Sequence, residues 1–203
     1  DLDGTISDPS LGTARCFNHA LQSHGLPSLP EKTIANEIGS PLDETFLKLA
    51  PSIDTSVVTS LVTTYLERYL DVGFSENLVY PSIPSALAHI HNSGLRLGVC
   101  TSKRHDFAEK ILSQFGLLEH FDFVDGGDIG ITKKTQLAGL VNTGTINDQA
   151  IMVGDRGVDI ISAQENGLRS IGVLWGFGSH KELSESSPTA IIEKVEELPI
   201  LFI

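Results

Sequence analysis

Short apolar segments alternate with segments of helical periodicity from about residue 80 to the end of the chain. Leu97-Gly98-Val99-Cys100 and Ala150-Ile151-Met152-Val153 contain no charged side chain, which is typical of strands buried on both faces of a parallel sheet. Strands that alternate with helices favour a parallel sheet with right-handed crossover connections. We therefore predict an α/β fold with a three-layer core, in which helices cover both faces of a parallel sheet.

The first third of the chain has a different pattern, with helical spacing and no strand signal. Residues 13–78 are predicted to be all-helical, and they interrupt the α/β pattern. We therefore predict a discontinuous core, residues 1–12 and 79–203, with a helical insertion at 13–78 between its parts. The predicted helices are 12–25, 31–38, 42–49, 55–70, 84–92, 106–115, 134–141 and 159–166, and the predicted strands are 95–100, 121–124, 150–153 and 170–174.

Composition and charge narrow the class of protein. The 203 residues suffice for one domain with an insertion, and the net charge of −12 disfavours a nucleic-acid partner, which would need a basic face. No apolar run approaches the roughly 20 residues of a membrane span, and no secretory signal is recognised, so we expect no membrane partner. Two cysteines make a disulfide framework unlikely and favour a cytoplasmic location.

The chain begins abruptly with Asp1-Leu2-Asp3-Gly4-Thr5 and has no initiating methionine. An acidic turn of this kind should follow a strand, so we expect that a preceding strand has been trimmed from the sequence. A free α-amino group on Asp1 would then disturb the electrostatics of any site at this turn.

Polar residues follow the predicted strands, at the sheet edge where ligands bind in open parallel sheets. They are Asp1, Asp3 and Thr5 at the start of the chain, Thr101 and Ser102 after segment 95–100, and Asp155 and Asp159 after segment 150–153. Each acidic motif alone also fits a plain Asx turn or a helix cap. Together, in this order on an α/β pattern, they predict converging carboxylates that a divalent cation would neutralise, and oxygen ligands suit Mg²⁺ best.

Other catalytic motifs are excluded by their spacing. Cys100 is not followed by the arginine of a cysteine-dependent phosphatase, because Asp106 stands at that position. The segment 126–133 does not match a phosphate-binding P-loop. Gly176-Phe177-Gly178 lacks the third glycine of a dinucleotide-binding loop, and we expect the neighbouring Trp175 to pack beneath a loop.

The ordered set of motifs resembles the haloacid dehalogenase superfamily of phosphohydrolases. Its first motif resembles Asp1-Leu2-Asp3-Gly4-Thr5, its second Thr101-Ser102, and its fourth Gly154-Asp155 followed by Asp159. Its third motif is a lysine at a helix start, for which Lys134 is the better match and Lys133 the alternate. Tyr80-Pro81, Thr101-Ser102-Lys103 and the segment 172–179 are similar to the phosphoglycolate phosphatase-like branch, although Asp8-Pro9 replaces its common Asp-Ser.

The resemblance implies a Rossmann-like core, a helical cap and a phosphatase reaction through an aspartyl-phosphate. Asp1 would be the nucleophile, and Asp3 would protonate the leaving oxygen and later deprotonate a water molecule. Mg²⁺ would be held by the Asp1 carboxylate, the Asp3 backbone carbonyl and Asp155, with Asp159 in support. The phosphoryl oxygens would be bound by the Thr101 hydroxyl, the Ser102 backbone N–H and Lys134.

The implied partner is a small-molecule phosphate ester, such as phosphoglycolate, a nucleotide or a sugar phosphate. Two other functions also fit the sequence, namely that of a sugar-phosphate phosphomutase and that of a non-catalytic binding protein with the same fold. The cap would set specificity, but its residues carry no recognisable code. Both a monomer and a homodimer fit the sequence.

Overall fold

The computed structural model describes residues 1–39, 41–128 and 130–202. The chain divides by its internal contacts into two compact units, which we call the core unit (Asp1–Asp8 and Val79–Ile203) and the helical unit (Pro9–Leu78). The predicted insertion, residues 13–78, falls within the helical unit, whose first helix begins at Ser10. Within the described ranges, no helix has the length and apolar composition needed to cross a bilayer.

The regular elements follow one another in an order that matches the predicted alternation. The strands are β1 (Ser7–Asp8), β2 (Leu78–Val79), β3 (Gly98–Arg104), β4 (Phe123–Gly127), β5 (Ile151–Gly154), β6 (Arg169–Val173) and β7 (Ala190–Ile192). The helices are α1 (Ser10–Ser23), α2 (Glu31–Ala35), α3 (Leu42–Leu49), α4 (Thr55–Asp71), α5 (Ile83–Asn92), α6 (His105–Gln114), α7 (Lys133–Asn142), α8 (Gly157–Glu165) and α9 (His180–Glu185). Short 3₁₀ helices span Gly73–Glu76, Leu118–His120, Val195–Glu197 and Pro199–Phe202.

All strand pairs in the body of the core unit are parallel among the residues described. Strand β3 pairs with β4, and β5, β6 and β7 form a three-stranded sheet in that order. The β5–β6 register runs from Ile151 opposite Arg169 to Gly154 opposite Gly172. Within each sheet the carboxyl ends of the strands therefore point to one edge, and of the predicted site residues Asp155 follows β5 directly, whereas Thr101 and Ser102 lie within β3.

Successive residues of β5 pack on opposite faces of the sheet, as the two-residue period of a strand requires. Met152 joins an apolar cluster with Leu137 of α7 and Ala163 of α8. Val153 packs instead against a second cluster, which contains Ile90 of α5. Helices thus cover both faces of the sheet, and the predicted three-layer α/β core is confirmed.

The elements at the end of the chain were not predicted, and two strands lie further along the chain than predicted, since β4 spans Phe123–Gly127 rather than 121–124. Helix α9 and strand β7 are short and have little apolar periodicity, so the sequence carries no strong signal for either. Strand β3 was predicted at 95–100 but spans Gly98–Arg104. Its ladder continues past the apolar residues, because Arg104 pairs with Gly127 of β4.

The helical unit has an apolar core of its own. The rings of Phe17 in α1 and Phe46 in α3 stack with centroids 4.0 Å apart, and both side chains are fully buried. Close approach of α1 to the first 3₁₀ helix depends on glycine, since a Cβ on Gly12 would lie 2.3 Å from the Gly73 carbonyl oxygen. The unit is therefore a tightly packed helical insertion.

An apolar cavity of about 570 Å³ lies inside the core unit, beside β3 and β5. Its lining includes Leu97, Cys100, Leu137 and Met152. Asp1 also lines this cavity, and its backbone nitrogen donates to the Val153 carbonyl of β5 at 2.8 Å. The strand expected before Asp1 stays a prediction, because Asp1 is the first residue of the sequence.

Candidate active site

The first acidic motif forms a tight turn around one carbonyl oxygen. The backbone N–H groups of Ile6 and Ser7 both donate to the Leu2 carbonyl, at 2.9 and 3.0 Å. Gly4 has a φ of +86°, and a Cβ at this position would lie 2.2 Å from Asp155 Oδ2. Only glycine therefore allows the first motif and the Asp155 side chain to approach this closely.

Asp155 follows β5 directly and is completely buried. Its Oδ2 accepts a hydrogen bond of 2.8 Å from the Phe177 backbone N–H, and its Oδ1 accepts a long one of 3.4 Å from the Thr5 hydroxyl. Burial raises the pKa of Asp155 to about 6, an effect that the Phe177 hydrogen bond opposes. A carboxylate this poorly solvated is a strong candidate for cation binding.

Asp159 lies in the first turn of α8 and is also buried. Its Oδ2 accepts from the Arg156 backbone N–H at 3.2 Å, and its Oδ1 lies 2.9 Å from Lys133 Nζ in an ionic contact without hydrogen-bond geometry. Both oxygens of Asp159 are thus committed to neighbours within the protein. Its side chain is better placed to hold Lys133 than to bind a ligand.

Of the two predicted lysines, the structure brings Lys133, the alternate, to the acidic residues, and it leaves Lys134, the preferred match, outside the cluster. Lys133 begins α7, and its Nζ donates to Asp1 Oδ1 at 2.7 Å and to the Cys100 carbonyl at 3.0 Å. Lys134 lies about 100° further round the helix and pairs with Glu165 at 3.3 Å, with 56% of its side chain exposed. The sequence offered both lysines, and helix phase decides between them.

The predicted phosphate-binding residues Thr101 and Ser102 lie within β3. Thr101 is buried, and its hydroxyl oxygen accepts from the Lys103 backbone N–H at 3.2 Å. Ser102 is exposed. The roles of Thr101 and Ser102 toward phosphate stay predictions.

Three further contacts at the site were missed by sequence reasoning. Lys103 Nζ lies 2.8 Å from Asp3 Oδ2, the Phe177 N–H holds Asp155, and the Trp175 indole N–H donates to the Thr5 carbonyl at 2.9 Å. Trp175 also packs on the apolar cluster around Ile90, so its expected packing role is accompanied by a polar one. The signal for the Trp175 loop was its pair of glycines, Gly176 and Gly178, which allow it to approach the two acidic motifs.

The carboxylates of Asp1, Asp155 and Asp159 converge, with one oxygen of each lying within 4.8 Å of the others. Three carboxylates and the Lys133 ammonium leave a net charge of −2 when all are ionised. That charge and the all-oxygen donor set suit a divalent cation. The prediction gave Asp3 a metal contact through its backbone carbonyl, which stays a prediction because the convergence concerns side chains.

Comparisons with known proteins agree with this geometry. The family described as haloacid dehalogenase-like hydrolase matches residues 1–173. The 5'-nucleotidase of Pseudomonas aeruginosa is 34% identical over 93% of this chain and 87% of its own length. The tyrosine-protein kinase PtkA of Mycobacterium tuberculosis is 32% identical over 94% of this chain, which spans only 66% of PtkA.

A relative and a solved structure extend the comparison. The phosphoglycolate phosphatase of Vibrio parahaemolyticus is 27% identical over 98% of this chain and 92% of its own length. A haloacid dehalogenase-like hydrolase of Streptococcus pneumoniae superposes with a TM-score of 0.91 at 28% identity, covering 100% of this chain and 96% of that one. The resemblance inferred from the motifs and the α/β fold are both confirmed.

Proposed function

Because the chain belongs to the haloacid dehalogenase-like hydrolases, we propose that it hydrolyses a small-molecule phosphomonoester through an aspartyl-phosphate on Asp1. The chain is a phosphoric monoester hydrolase, the class of its 5'-nucleotidase and phosphoglycolate phosphatase relatives. One observation carries the proposal beyond that class. Asp1 lies in a cluster of three carboxylates, of which Asp155 and Asp159 are buried, and it bonds to the buried Lys133.

The residues present fit a bound Mg²⁺, since the Asp155 carboxylate is fully buried and converges with the Asp1 carboxylate in an all-oxygen donor set. Asp1, Asp155 and the Asp3 carbonyl would hold the ion, while Asp159 is occupied by Lys133 and the Arg156 N–H. Bound there, Mg²⁺ would supply charge neutralisation for the phosphate oxygens. The other contributions come from the chain itself.

In the first step an Asp1 carboxylate oxygen bonds to phosphorus while the bond from phosphorus to the leaving oxygen breaks. Asp3 gives its proton to that oxygen, so the alcohol leaves in neutral form. Lys133 holds Asp1 Oδ1 at 2.7 Å, which orients the nucleophile and counters its charge. The Thr101 hydroxyl and the Ser102 N–H would bind the transferred phosphoryl group.

In the second step a water oxygen bonds to phosphorus and the bond to Asp1 breaks. Asp3, now a carboxylate, takes the proton from this water molecule and returns to its starting state. Inorganic phosphate and the free Asp1 carboxylate are the products. One residue thus serves as acid and then as base, which requires that it lie beside the nucleophile, and Asp3 is two residues away.

The substrate class follows from the same chemistry and from the names of the relatives. Phosphoglycolate, nucleoside monophosphates and sugar phosphates are all phosphomonoesters that this site could cleave. A phosphomutase would instead return the phosphoryl group to a sugar. Release of inorganic phosphate therefore separates hydrolysis from the mutase reaction and from a non-catalytic protein.

The test is phosphate release from p-nitrophenyl phosphate with Mg²⁺, followed by sugar phosphates with and without a bisphosphate primer. We expect release that stops in excess chelator and in Asp1→Asn, but persists in Asp148→Asn, an exposed aspartate. Full activity in chelator would contradict the metal, and turnover that needs the primer would indicate a mutase.

Rapid quench with a ³²P-labelled substrate tests the covalent route. Wild-type protein should carry label briefly, and Asp1→Asn none. Asp3→Asn should acquire label slowly and lose it slowly, because acid–base help is worth typically 10²–10⁴-fold. Label on Asp1→Asn would reassign the nucleophile, and no label on any variant would indicate direct attack by water.

A further inference from the structure

A second lysine, Lys103, forms an ion pair with Asp3, the second aspartate of the first motif. Lys103 Nζ lies 2.8 Å from Asp3 Oδ2, and the Lys103 side chain is only 11% exposed. Lys133, in contrast, contacts Asp1 and Asp159. The two neighbouring aspartates therefore have separate ammonium partners, which come from different elements, α7 and the end of β3.

Lys103 reaches Asp3 because β3 is irregular at its end. In the ladder with β4, Thr101 pairs with Gly126 and Arg104 with Gly127, so two residues of β3 have no counterpart in β4. Such a bulge turns side chains away from the regular alternation of a strand.

The two glycines of β4 allow this bulge. A Cβ on Gly127 would lie 2.5 Å from the Ser102 carbonyl oxygen, and one on Gly126 would lie 2.2 Å from His105 Cα. A side chain at Gly127 would therefore push the bulged backbone at Ser102 away, and one at Gly126 would displace the start of α6, which follows the bulge. The bulge therefore places the Lys103 side chain beside Asp3.

The two oxygens of the Asp3 carboxyl group have different surroundings. Oδ2 contacts Lys103, whereas Oδ1 is buried and has no hydrogen-bond partner among the described residues. A buried carboxyl oxygen without a partner calls for an explanation. A proton on Oδ1, shielded from bulk water, would be available to a reacting oxygen and to little else.

We propose that Lys103 is a positioning residue, which holds Asp3 through Oδ2 so that Oδ1 is the oxygen that gives and takes the proton. This inference rests on the proposed function. In the first step the Oδ1–H bond breaks as the leaving oxygen gains the proton and its bond to phosphorus breaks. In the second step Oδ1 takes a proton from water. Without the ion pair, rotation of the carboxyl group would exchange the two oxygens.

The leaving group provides the test of this proton transfer. The p-nitrophenolate ion leaves without a proton, whereas the leaving oxygen of an alkyl phosphate must be protonated as its bond to phosphorus breaks. We expect Lys103→Met to reduce kcat/KM roughly 10- to 100-fold for an alkyl phosphate, and less than about threefold for p-nitrophenyl phosphate. Lys103→Arg should restore part of the alkyl phosphate activity. Lys181→Met, which removes a lysine that is 83% exposed, should leave both rates unchanged.

A double-mutant cycle separates positioning from other roles. If Lys103 acts through Asp3, adding Lys103→Met to Asp3→Asn should cause no further loss with the alkyl phosphate. Equal losses with all leaving groups, additive losses in the cycle, or a raised KM with unchanged kcat would each overturn the inference. An inactive wild-type protein would overturn the proposed function, whereas an active wild type with an unaffected Lys103→Met would overturn this inference alone.

Discussion

Lys133 and Lys134 are neighbours in sequence, but the first is buried among carboxylates and the second is exposed to solvent. Lys133 is 3% exposed and contacts two carboxylates, whereas Lys134 makes one exposed ion pair. An exposed ion pair of this kind contributes at most about 1 kcal/mol to the free energy of unfolding. Removing the buried ammonium instead leaves Asp1 and Asp159 without a counter-charge, which a low-dielectric site tolerates poorly.

We therefore expect Lys133→Met to lower kcat at least about 100-fold, by analogy with the loss of one oxyanion-hole donor. Lys134→Met is the matched control and should change kcat less than about twofold. Steady-state hydrolysis of p-nitrophenyl phosphate by folded protein, checked by circular dichroism, measures both. A larger loss from Lys134→Met would restore the original choice of lysine.

At the scale of elements, the loop 175–178 lies against both acidic motifs. A Cβ on Gly176 would lie 2.2 Å from the Gly4 carbonyl oxygen and 2.4 Å from Asp155 Cβ. Gly139 in α7 has open space around it and no positive φ. The same substitution should therefore have opposite effects at the two positions.

We expect Gly176→Ala to lower the free energy of unfolding by about 1–3 kcal/mol, because it overpacks the site. Gly139→Ala should raise it by about 0.5–1 kcal/mol, since alanine favours the helix. Urea unfolding followed by circular dichroism measures both changes. A Gly176→Ala protein as stable and active as wild type would show that the loop moves freely.

The helical unit contains a charged network centred on Glu76. Its carboxylate accepts from Arg68 at 2.8 and 3.1 Å and from Arg15 at 2.8 Å. The hydrogen bonds from Arg68 lower the pKa of Glu76, with a further contribution from Arg15. A carboxyl group with a lowered folded-state pKa stabilises the protein above its unfolded pKa, and this contribution is lost as the pH falls through the folded value.

We expect Glu76→Gln to lower the free energy of unfolding by roughly 1–3 kcal/mol at pH 7, as for hydrogen bonds to charged groups. The difference from wild type should shrink as the pH falls below about 4.3, the ordinary value for glutamate. Urea titrations at several pH values test this, with Glu67→Gln, an exposed position in α4, as control. A difference that grew toward low pH would contradict the assigned role.

How far the sequence predicts these elements depends on the signal each one carries. Helix α3 was predicted with its observed bounds, because it has apolar residues at helical spacing, acidic residues in its first turn and a lysine in its last. Asp155 and Asp159 were found from their position after an apolar segment, whereas Asp1 and Asp3 were assigned to an expected strand that the sequence does not contain. Two features depend on tertiary pairing, and local spacing does not reveal them. One is the helix phase that separates Lys133 from Lys134, and the other is the bulge that places Lys103 beside Asp3.

At the scale of the whole molecule, the helical unit is an insertion whose removal the core unit should tolerate. The Ile6 carbonyl accepts from the Tyr80 N–H at 3.2 Å, so the two ends of the core unit are close together on either side of the insertion. The apolar clusters around Met152 and Ile90 lie wholly within the core unit. A short Gly-Ser linker could therefore replace Pro9–Leu78.

Because the site residues are retained, we expect such a deletion to leave slow hydrolysis of p-nitrophenyl phosphate. Because the predicted specificity element is removed, it should abolish selectivity among natural phosphates. Initial rates on phosphoglycolate, a nucleoside monophosphate and a sugar phosphate measure this, with the full chain as control. Unchanged discrimination after deletion would place specificity in the core unit.

Trp175 is the only tryptophan of the chain. Its indole bonds to Thr5, and Phe177, two residues later, bonds to Asp155. The chain thus carries a single indole fluorophore next to the carboxylates where a cation would bind. Emission excited near 295 nm consequently reports on that one loop, so cation or phosphate binding could be titrated in the unlabelled protein.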